Sequence, residues 1–458
     1  MSLFLRLVRA LWVFGLIFAS YMFQLGLWRI LRRRERDSAT GRMRHRAPRW
    51  LERRRKQIDR INARRLLLGM LRLRGVYIKL GQILSVMGGF LPRVYGTELA
   101  VLQDRVPPQP FSALRPVFLR TLGSAPEQLY EHIASEPLAA ASLGQVHEAR
   151  LADGRHVAVK VLYPGIRDVV RTDMRVVRLA LVVYKWFVPV ENIDGVHDAL
   201  VDLLGRETDY LHEAACMERM AKNFAGQDDI LFPEVIPELT TGDVLTMTFM
   251  EGIPIYDVDR MRERGIDVHQ VAVRLVQSFY EQLFVHRFFH ADPHPGNFLV
   301  QEGPRIVVLD FGAISDVGQD MIDGMVDVLQ GFFEQDDALV LGGFDRLGFV
   351  AETGNRALVE RTVIMYFRKL LKVKERTPGA LMRARPDELE ALADPEVERT
   401  EIRELMRSIR YPEGWFYVER AAVIAFWLVG HLDPELDALQ VGFPYVLPLL
   451  AERTRARA

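Results

Sequence analysis

The chain has 458 residues, about three times the length of a usual domain, so it can form one large two-lobed unit or two to three domains. Hydrophobic residues make up 49% of it and charged residues 26%, a balance that excludes disordered, collagen-like and low-complexity proteins. Its single cysteine, Cys216, excludes an intramolecular disulfide and a multi-cysteine zinc site, and we expect a packed thiol.

Charge is distributed unevenly although the formal net charge is zero. Residues 1–56 contain 15 lysines and arginines against three acidic residues, an excess of +12 that the remainder balances. This split argues against a nucleic-acid partner and favours one basic segment that faces an anionic surface.

An apolar run near the N-terminus has the length of a membrane span. From Ala10 to Trp28, 19 consecutive residues carry no charge, and as a helix they would extend roughly 28 Å, the thickness of a bilayer core. The arginines that follow, Arg32 among them, predict that this flank stays in the cytoplasm. We predict a single N-terminal span in the inner membrane. A helix lying flat on the membrane, a buried helix and a signal segment are the alternatives.

The hydrophobic pattern indicates four successive segments. They are an anchor with a basic flank at 1–37, a helical extension at 38–110, a strand-rich small lobe at 111–253 and a helical large lobe at 254–458. Pro107, Pro108 and Pro110 mark the second boundary. The basic stretch from Arg42 to Arg65 predicts an amphipathic helix that rests on anionic headgroups, or equally a solvated arginine face.

Local patterns assign the elements of the two lobes. Residues 146–165 read as a β-hairpin that turns at Asp153 and Gly154, because an Asp-Gly pair favours a tight turn. Residues 111–135 and 167–225 are predicted to be helical, and 243–252 to contain a strand. The apolar run at 416–430 is too short to span a bilayer and predicts a core helix.

Separated segments carry residue types suited to hold a nucleotide polyphosphate and its magnesium ions. Lys160 lies in the predicted strand VAVKV, where a lysine can reach phosphate oxygens, although strand lysines are more often solvated. In HADPHPGN, His290, Asp292 and Asn297 reproduce the spacing of a protein-kinase catalytic loop, with Ala291 in place of the usual arginine. Asp292 is predicted to orient a hydroxyl or a water, and Asn297 to ligate magnesium.

The tripeptide DFG completes this set of motifs. Asp310 follows Asn297 by thirteen residues, a length suited to a short hairpin, and is predicted to bind the metal ions that bridge the phosphates. Either motif alone can be a mere turn or a chance match. Their joint order, after a strand lysine, predicts a protein-kinase-like site.

Three further features concern the nucleotide. Glu207 and Glu213 lie about 240° apart around a predicted helix, so they cannot both face Lys160. Glu213 is assigned as the ion-pair partner of Lys160, and Glu207 and Asp209 are left for another partner. The adenine is expected at the strand exit between Met250 and Gly252. The loop expected to cover the phosphates is alanine-rich, which stiffens it compared with a glycine loop; its residues are Ala139, Ala140, Ala141, Ser142 and Gly144.

These motifs resemble the UbiB (AarF) family of atypical protein-kinase-like ATPases linked to ubiquinone biosynthesis. The likeness covers about 72–314 and rests on the AAAS loop, HADPHPGN, DFG, a lysine-x-glycine-glutamine motif and a glutamate-x-aspartate motif. The resemblance implies an α+β, protein-kinase-like two-lobed fold whose helical extension covers the active site. Lys79 and Gln82 of that extension would meet Glu207 and Asp209. Such a lid disfavours protein substrates and favours ATP hydrolysis or action on small lipids.

We therefore expect a membrane-associated kinase-like ATPase that uses ATP and Mg²⁺ and supports ubiquinone or isoprenoid-lipid biosynthesis. Its expected partners are membrane lipids, quinone or prenyl-lipid intermediates and proteins of quinone biosynthesis. The alternatives are a nucleotide-responsive, non-catalytic membrane scaffold and a true protein or lipid kinase. Many bacterial members of the family carry their membrane segments at the C-terminal end, whereas the predicted span here is N-terminal.

Overall fold

The structure is a computed structural model. It describes residues 3–31, 33–36, 43–46, 48–86, 92–103, 108–185, 193–371, 377–383, 404–405, 407–410 and 412–457. Three residues used in the sequence analysis, Arg32, Arg42 and Pro107, lie outside these ranges.

Helices and strands alternate irregularly along the chain, as expected for an α+β protein. The helices are α1 (Leu3–Leu31), α2 (Arg49–Leu73), α3 (Val76–Val86), α4 (Arg93–Leu99), α5 (Arg115–Thr121), α6 (Pro126–Leu129), α7 (Ile166–Lys185), α8 (Ile193–Glu207), α9 (Tyr210–Asn223), α10 (Val258–Glu263), α11 (Val268–Tyr280), α12 (Gln319–Glu334), α13 (Asp337–Leu347), α14 (Arg356–Leu371), α15 (Pro378–Arg383), α16 (Trp415–Leu432) and α17 (Ala438–Arg457). The strands are β1 (Arg33–Arg36), β2 (Met43–Arg46), β3 (His132–Ile133), β4 (Ala139–Ala140), β5 (Gly144–Arg150), β6 (His156–Leu162), β7 (Ile230–Leu231), β8 (Val244–Thr248), β9 (Ile253–Pro254), β10 (Phe288–His290), β11 (Phe298–Gln301), β12 (Arg305–Val308) and β13 (Ile314–Asp316).

The chain divides into two compact units. One comprises Met1–Val117, Ala134–His147 and Val161–Ala180, and the other comprises Phe118–Ile133, Glu148–Lys160 and Leu181–Ala458. The division into four segments predicted from the sequence follows the order of the chain and stays a prediction.

In the first unit α1 lies antiparallel along α2. The amide of Asn62 donates to the hydroxyl of Ser20 (2.7 Å), and Gln24 donates to the backbone oxygen of Leu51 (3.1 Å). Helix α2 is amphipathic, as predicted from the basic stretch. Its buried face includes Leu51, Ile58, Leu66 and Leu67, and that face packs toward α1 and α4 while its arginines point outward.

Arg6 fixes the other end of α1 within the same unit. Its Nε lies 2.8 Å from Asp173 of α7, and its terminal nitrogens donate to the backbone oxygens of Leu73 and Arg74, where α2 ends. Arg6 and Asp173 are both buried. A buried arginine in an apolar helix is stable only with such partners.

The described strands form several sheets. One four-stranded sheet has the order β7-β12-β11-β9, and β10 pairs antiparallel with β13. A five-stranded sheet has the path β3-β5-β6-β8, with β4 paired to β5. The predicted hairpin is confirmed as β5 and β6, which turn through Gly154 at a φ of +87°, a value that glycine adopts readily.

Most predicted helices are confirmed. The described part of 167–225 forms α7, α8 and α9, while 186–192 lie outside the described residues. Helix α16 is a core helix in which Ala421 and Leu428 are almost fully buried. The prediction for 111–135 is partly wrong, because that segment forms only short helical turns and then enters β3. Gly123, at a φ of +72°, and Pro126 interrupt any longer helix.

Candidate active site

Lys160 lies at the centre of a buried ion cluster in the second unit. On β6 its neighbours Val159 and Val161 are fully buried, so the strand holds the lysine on a rigid support. Its ammonium pairs with Glu213 of α9 and, at 2.8 Å, with Asp310. Glu213 is the partner that the sequence predicted, and it also accepts the backbone N–H of Phe311 at 3.2 Å. A role in binding phosphate stays a prediction.

The charges in this cluster depend on one another. Burial alone would lower the pKa of Lys160, but the carboxylates of Asp310 and Glu213 outweigh it and raise that pKa. Burial would raise the pKa of Asp310, yet the Lys160 ammonium and hydrogen bonds hold it well below its usual range. At Glu213 burial prevails over the attraction of Lys160 and raises the pKa to about 7. Lys160 therefore stays protonated and Asp310 stays ionised over the ordinary pH range.

A short hairpin brings Asp310 beside Asn297, as the spacing of the two motifs predicted. Strands β11 and β12 pair from Phe298 opposite Val308, and the N–H of Leu309 donates to the backbone oxygen of Asn297 at 2.9 Å. This last ladder bond closes the hairpin at the point where both side chains emerge. The two motifs are thus one structural feature.

The donor set fits magnesium. The side-chain nitrogen of Asn297 donates to the backbone oxygen of Asp292 at 3.0 Å, so its amide oxygen remains as the group that can ligate a cation. With the carboxylate of Asp310, this gives two hard oxygen donors, the number with which proteins usually hold a magnesium ion that also binds phosphates. No cluster of three or more His, Cys, Asp or Glu suited to a metal occurs among the described residues.

The catalytic-loop segment is anchored at its base. Ala291 donates to the backbone oxygen of Ala313 at 2.7 Å, which extends the pairing of β10 with β13. The ring nitrogen Nδ1 of His290 accepts the N–H of Asp292 at 3.1 Å, and His290 is almost fully buried. His290 therefore shapes the turn that presents Asp292.

Sequence reasoning missed the residue that binds the side chain of Asp292. Arg420 of α16 places a terminal nitrogen 2.6 Å from the Asp292 carboxylate, and the two side chains are only 4% and 11% exposed. The available signal was a charged residue beside the apolar run at 421–430, in a helix expected to be buried.

The alanine-rich loop is a β-hairpin in the first unit. Ala139 and Ala140 of β4 pair with Val146 and Gln145 of β5, and Ala141 donates to the backbone oxygen of Gly144 at 2.8 Å. Ser142 is buried. Its hairpin shape fits a loop that covers phosphates, and its contact with a nucleotide stays a prediction.

Gln145 ties this loop to the chain before α5. Its side chain exchanges two hydrogen bonds with the backbone of Gln109, at 2.9 and 3.1 Å, and donates to Nε2 of His147 at 2.8 Å. His147 in turn donates through Nδ1 to Ala134 at 2.7 Å. Burial lowers the pKa of His147, which keeps its ring neutral as these bonds require.

The strand exit expected to hold adenine lies beside β11. Gly252 sits so close to β11 that a Cβ atom there would be 2.7 Å from the Cβ of Leu299, which explains glycine at this position. Gln301 donates to the backbone oxygen of Glu251 at 2.7 Å. Met250 is half-buried. Adenine recognition by Met250 and Gly252 stays a prediction.

The predicted lid residues have local roles in their own units. Lys79 is buried in α3, and Gln82 donates to the backbone oxygen of Leu102 at 2.9 Å. In the second unit Asp209 caps α9 by accepting the N–H of Leu211 at 3.2 Å, a role that the sequence analysis did not assign. The predicted meeting of Lys79 and Gln82 with the acidic pair stays a prediction.

Glu207, the other member of the acidic pair, lies against the DFG motif. A Cβ atom on Gly312 would be 3.5 Å from the Cγ of Glu207. The end of α8 therefore packs directly on the glycine that follows Asp310 and Phe311.

Comparison with known proteins gives one family. A profile described as the ABC1 atypical kinase-like domain matches residues 101–342. The chain is 31% identical over 410 residues to Activity of BC1 complex kinase 8, chloroplastic, of Arabidopsis thaliana, an alignment that covers 84% of this chain and 53% of that protein. It is 36% identical over 299 residues to the probable protein kinase UbiB of Pseudomonas aeruginosa, covering 63% of this chain and 55% of that protein.

The chain thus spans about half the length of these two curated relatives. Among solved structures it is similar to a chain from the complex of Rv3197 with erythromycin from Mycobacterium tuberculosis, with a TM-score of 0.50 and 24% identity, covering 84% of this chain and 97% of that one. That similarity concerns the fold. The predicted kinase-like α+β fold is confirmed, and the chain belongs to the ABC1 atypical kinase-like family, which includes the proteins named UbiB.

Proposed function

We propose that this protein is a membrane-associated kinase-like ATPase that binds Mg-ATP and transfers its terminal phosphoryl group to water or to a small lipid. The proposal rests chiefly on one observation, the convergence of Lys160, Glu213 and Asp310 in a buried cluster beside the hairpin that carries Asn297. These are the residue types that kinase-like sites use, in the order that they use them.

Each side chain has a definite task in this proposal. Lys160, held by Glu213, binds phosphate oxygens. Asn297 and Asp310 hold magnesium, which neutralises charge on the phosphates when it is bound. Asp292 orients the attacking oxygen and accepts its proton. In such transfers positioning and electrostatic stabilisation supply most of the rate enhancement.

The substrate class follows from the family resemblance. A lid carrying Lys79 and Gln82 over the site would exclude protein substrates, and the link of UbiB-type proteins to ubiquinone points to quinone or prenyl-lipid chemistry. We accordingly propose quinone or prenyl-lipid intermediates, and the proteins that make them, as partners.

The placement of α1 bears on how the protein associates with a membrane. Among the described residues α1 is the one helix long and apolar enough to cross a bilayer, with a mean hydropathy of 1.7 over its most apolar window. Yet α1 is bonded along α2 by Ser20 and Gln24. If α1 crossed the bilayer in this arrangement, the arginines of α2 would enter the hydrocarbon, at about 2.5–3.5 kcal/mol each.

We therefore propose, in place of the predicted span, that α1 lies in the plane of the cytoplasmic membrane surface with the kinase-like site in the cytoplasm. The exposed side chains of α1 are mostly apolar, and its exposed arginines, Arg9 and Arg29, lie near the two ends of the helix. Phe4, Trp12, Phe23 and Ile30 are each more than half exposed. The exposed arginines of α2 lie alongside and suit anionic headgroups.

Magnesium-dependent release of phosphate from ATP tests the function, measured in detergent with anionic lipid. Asp310→Asn should abolish turnover while the protein stays folded, because an amide ligates magnesium more weakly and no longer balances Lys160. Asp316→Asn is a matched control, since Asp316 is exposed and pairs with Arg219. Wild-type turnover in Asp310→Asn, or an equal loss in Asp316→Asn, would overturn the assignment.

A further inference from the structure

The carboxylate of Asp292 is held from a distant part of the chain. Arg420 lies 2.6 Å from it through one terminal nitrogen, and both side chains are about nine-tenths buried or more. A buried ion pair of this kind forms only with well-defined geometry, because both groups lose their water. Arg420 therefore determines the orientation of Asp292.

The loop itself offers no basic residue next to Asp292. The position between His290 and Asp292, usually arginine in this motif, is Ala291, and it is fully buried. The cation beside the catalytic aspartate comes instead from α16.

Helix α16 presents Arg420 from a fixed position. Tyr417 lies three residues earlier and so on the same face of the helix. Its hydroxyl lies 3.0 Å from the carboxylate of Asp202 and 3.2 Å from the backbone oxygen of Ala199, both on α8. The helix that carries the arginine is thus bound through one face to both α8 and the loop that contains Asp292.

The second terminal nitrogen of Arg420, Nη1, is buried and has no hydrogen-bond partner among the described residues. Arg420 as a whole is 5% exposed. Since a buried donor on a cation is unfavourable without an acceptor, we propose that Nη1 donates to the oxygens of the phosphoryl group during its transfer, while the other nitrogen positions Asp292. This inference rests on the proposed function.

The chemical step is balanced without any further reactant. The bond between the γ-phosphorus and the bridging oxygen breaks, ADP leaves with that oxygen, and the attacking oxygen of water or of a hydroxyl forms the new bond. Its proton passes to Asp292 and then to solvent. Arg420 neither gains nor loses a proton. It stabilises the charge that spreads over the three phosphoryl oxygens in the transition state.

The test compares Arg420→Gln and Arg420→Lys with Arg453→Gln. Arg453 of α17 pairs with Asp327 of α12 at 2.6 Å and also with Asp323 of that helix, so its loss reports the stability effect of breaking an arginine–aspartate pair. Turnover of Mg-ATP is measured well below each melting temperature. Affinity is measured for Mg-ADP with and without beryllium fluoride, which mimics the phosphoryl group.

We expect Arg420→Gln to lower kcat by about 10²–10³-fold, the effect of losing one donor to a developing oxyanion. Its Mg-ADP affinity should stay within about 3-fold of wild type, while the tighter binding seen with beryllium fluoride disappears. Arg420→Lys should restore part of kcat, because it keeps the charge but not the planar fork. Arg453→Gln should lower stability and retain the tightening.

Two results would overturn the inference. One is a folded Arg420→Gln with wild-type kcat, and the other is tightening by beryllium fluoride that survives in Arg420→Gln. If the wild-type protein itself neither hydrolyses Mg-ATP nor binds beryllium fluoride with Mg-ADP, the proposed function fails and the role of Arg420 fails with it. An active wild type with an unaffected Arg420→Gln refutes the role of Arg420 alone.

Discussion

Replacing Lys160 by methionine tests the ion cluster most directly. Lys160→Met keeps the length of the side chain but removes the ammonium that pairs with Glu213 and Asp310. Two carboxylates then face one another around the position of Nζ. Breaking a buried ion pair from one side costs about 3–5 kcal/mol, a large part of the roughly 5–15 kcal/mol that stabilises a folded domain.

The loss of stability should depend on pH, with a definite sign. In the wild type Glu213 has a pKa of about 7 against an ordinary value of 4.5. The native state therefore binds a proton that the unfolded state lacks, and this stabilisation is complete below 4.5 and is lost as the pH rises through 7. Without Lys160 the pKa of Glu213 rises further, so the variant continues to lose stability above pH 7.

The size of this difference follows from linkage. For each pH unit over which Glu213 is protonated in the native state and ionised in the unfolded state, the free energy of unfolding falls by about 1.4 kcal/mol. Between pH 6 and 8 this condition holds over about one pH unit in the wild type and over about two in the variant. The destabilisation caused by Lys160→Met should therefore be about 1.4 kcal/mol greater at pH 8 than at pH 6. Urea unfolding at the two pH values measures it.

A double variant provides the control. Lys160→Met with Glu213→Gln removes the titrating carboxyl, so the extra pH dependence should vanish and part of the stability should return. Equal destabilisation by Lys160→Met at pH 6 and 8, within about 0.5 kcal/mol, would refute the reasoning. So would a Lys160→Met protein as stable as the wild type, because the lysine would then not be the partner of two buried carboxylates.

Two further predictions concern the thiol and the N-terminal helix. Burial raises the pKa of Cys216 to about 11. Alkylation of this thiol at pH 8 should therefore be about 100-fold slower in the native protein than in urea, and its rate in the native protein should rise with pH. Equal rates in the native and the unfolded protein would show that the thiol is open to solvent. If α1 lies flat, single cysteines introduced at Arg9 and Arg29, exposed polar positions near the two ends of the helix, should both react with an impermeant maleimide added on the cytoplasmic side. Protection of one end only would establish a span instead.

The sequence predicted those features of the fold that local chemistry determines. The Asp-Gly turn before β6 and the hairpin from Asn297 to Asp310 depend on a few adjacent residues, and both patterns were readable. The partner of Lys160 was predicted correctly, but from a helix that the structure divides. The prediction treated Glu207 and Glu213 as residues of one helix that cannot both face the lysine, whereas Glu207 ends α8 and Glu213 lies on α9.

Contacts between distant segments were not readable. Nothing near HADPHPGN indicates that Arg420 binds Asp292, because this pairing depends on how α16 packs against the catalytic loop. The contacts of the N-terminal helix were not readable for the same reason. Its hydropathy indicates a span, while Ser20 and Gln24, the polar exceptions in the run, prove to be the residues that bond to α2.

The position of α16 links the catalytic loop to α8 through two contacts of unequal strength. Removing one partner from the buried pair of Arg420 and Asp292 destabilises the fold by about 3–5 kcal/mol. The hydrogen bond of Tyr417 to the charged Asp202 contributes less, about 1.5–3 kcal/mol. A displacement of α8 therefore breaks the tyrosine contact first and leaves Asp292 held. Since α16 lies beyond the matched family domain, which ends at residue 342, the orientation of the Asp292 side chain depends on a helix that the family motifs do not include.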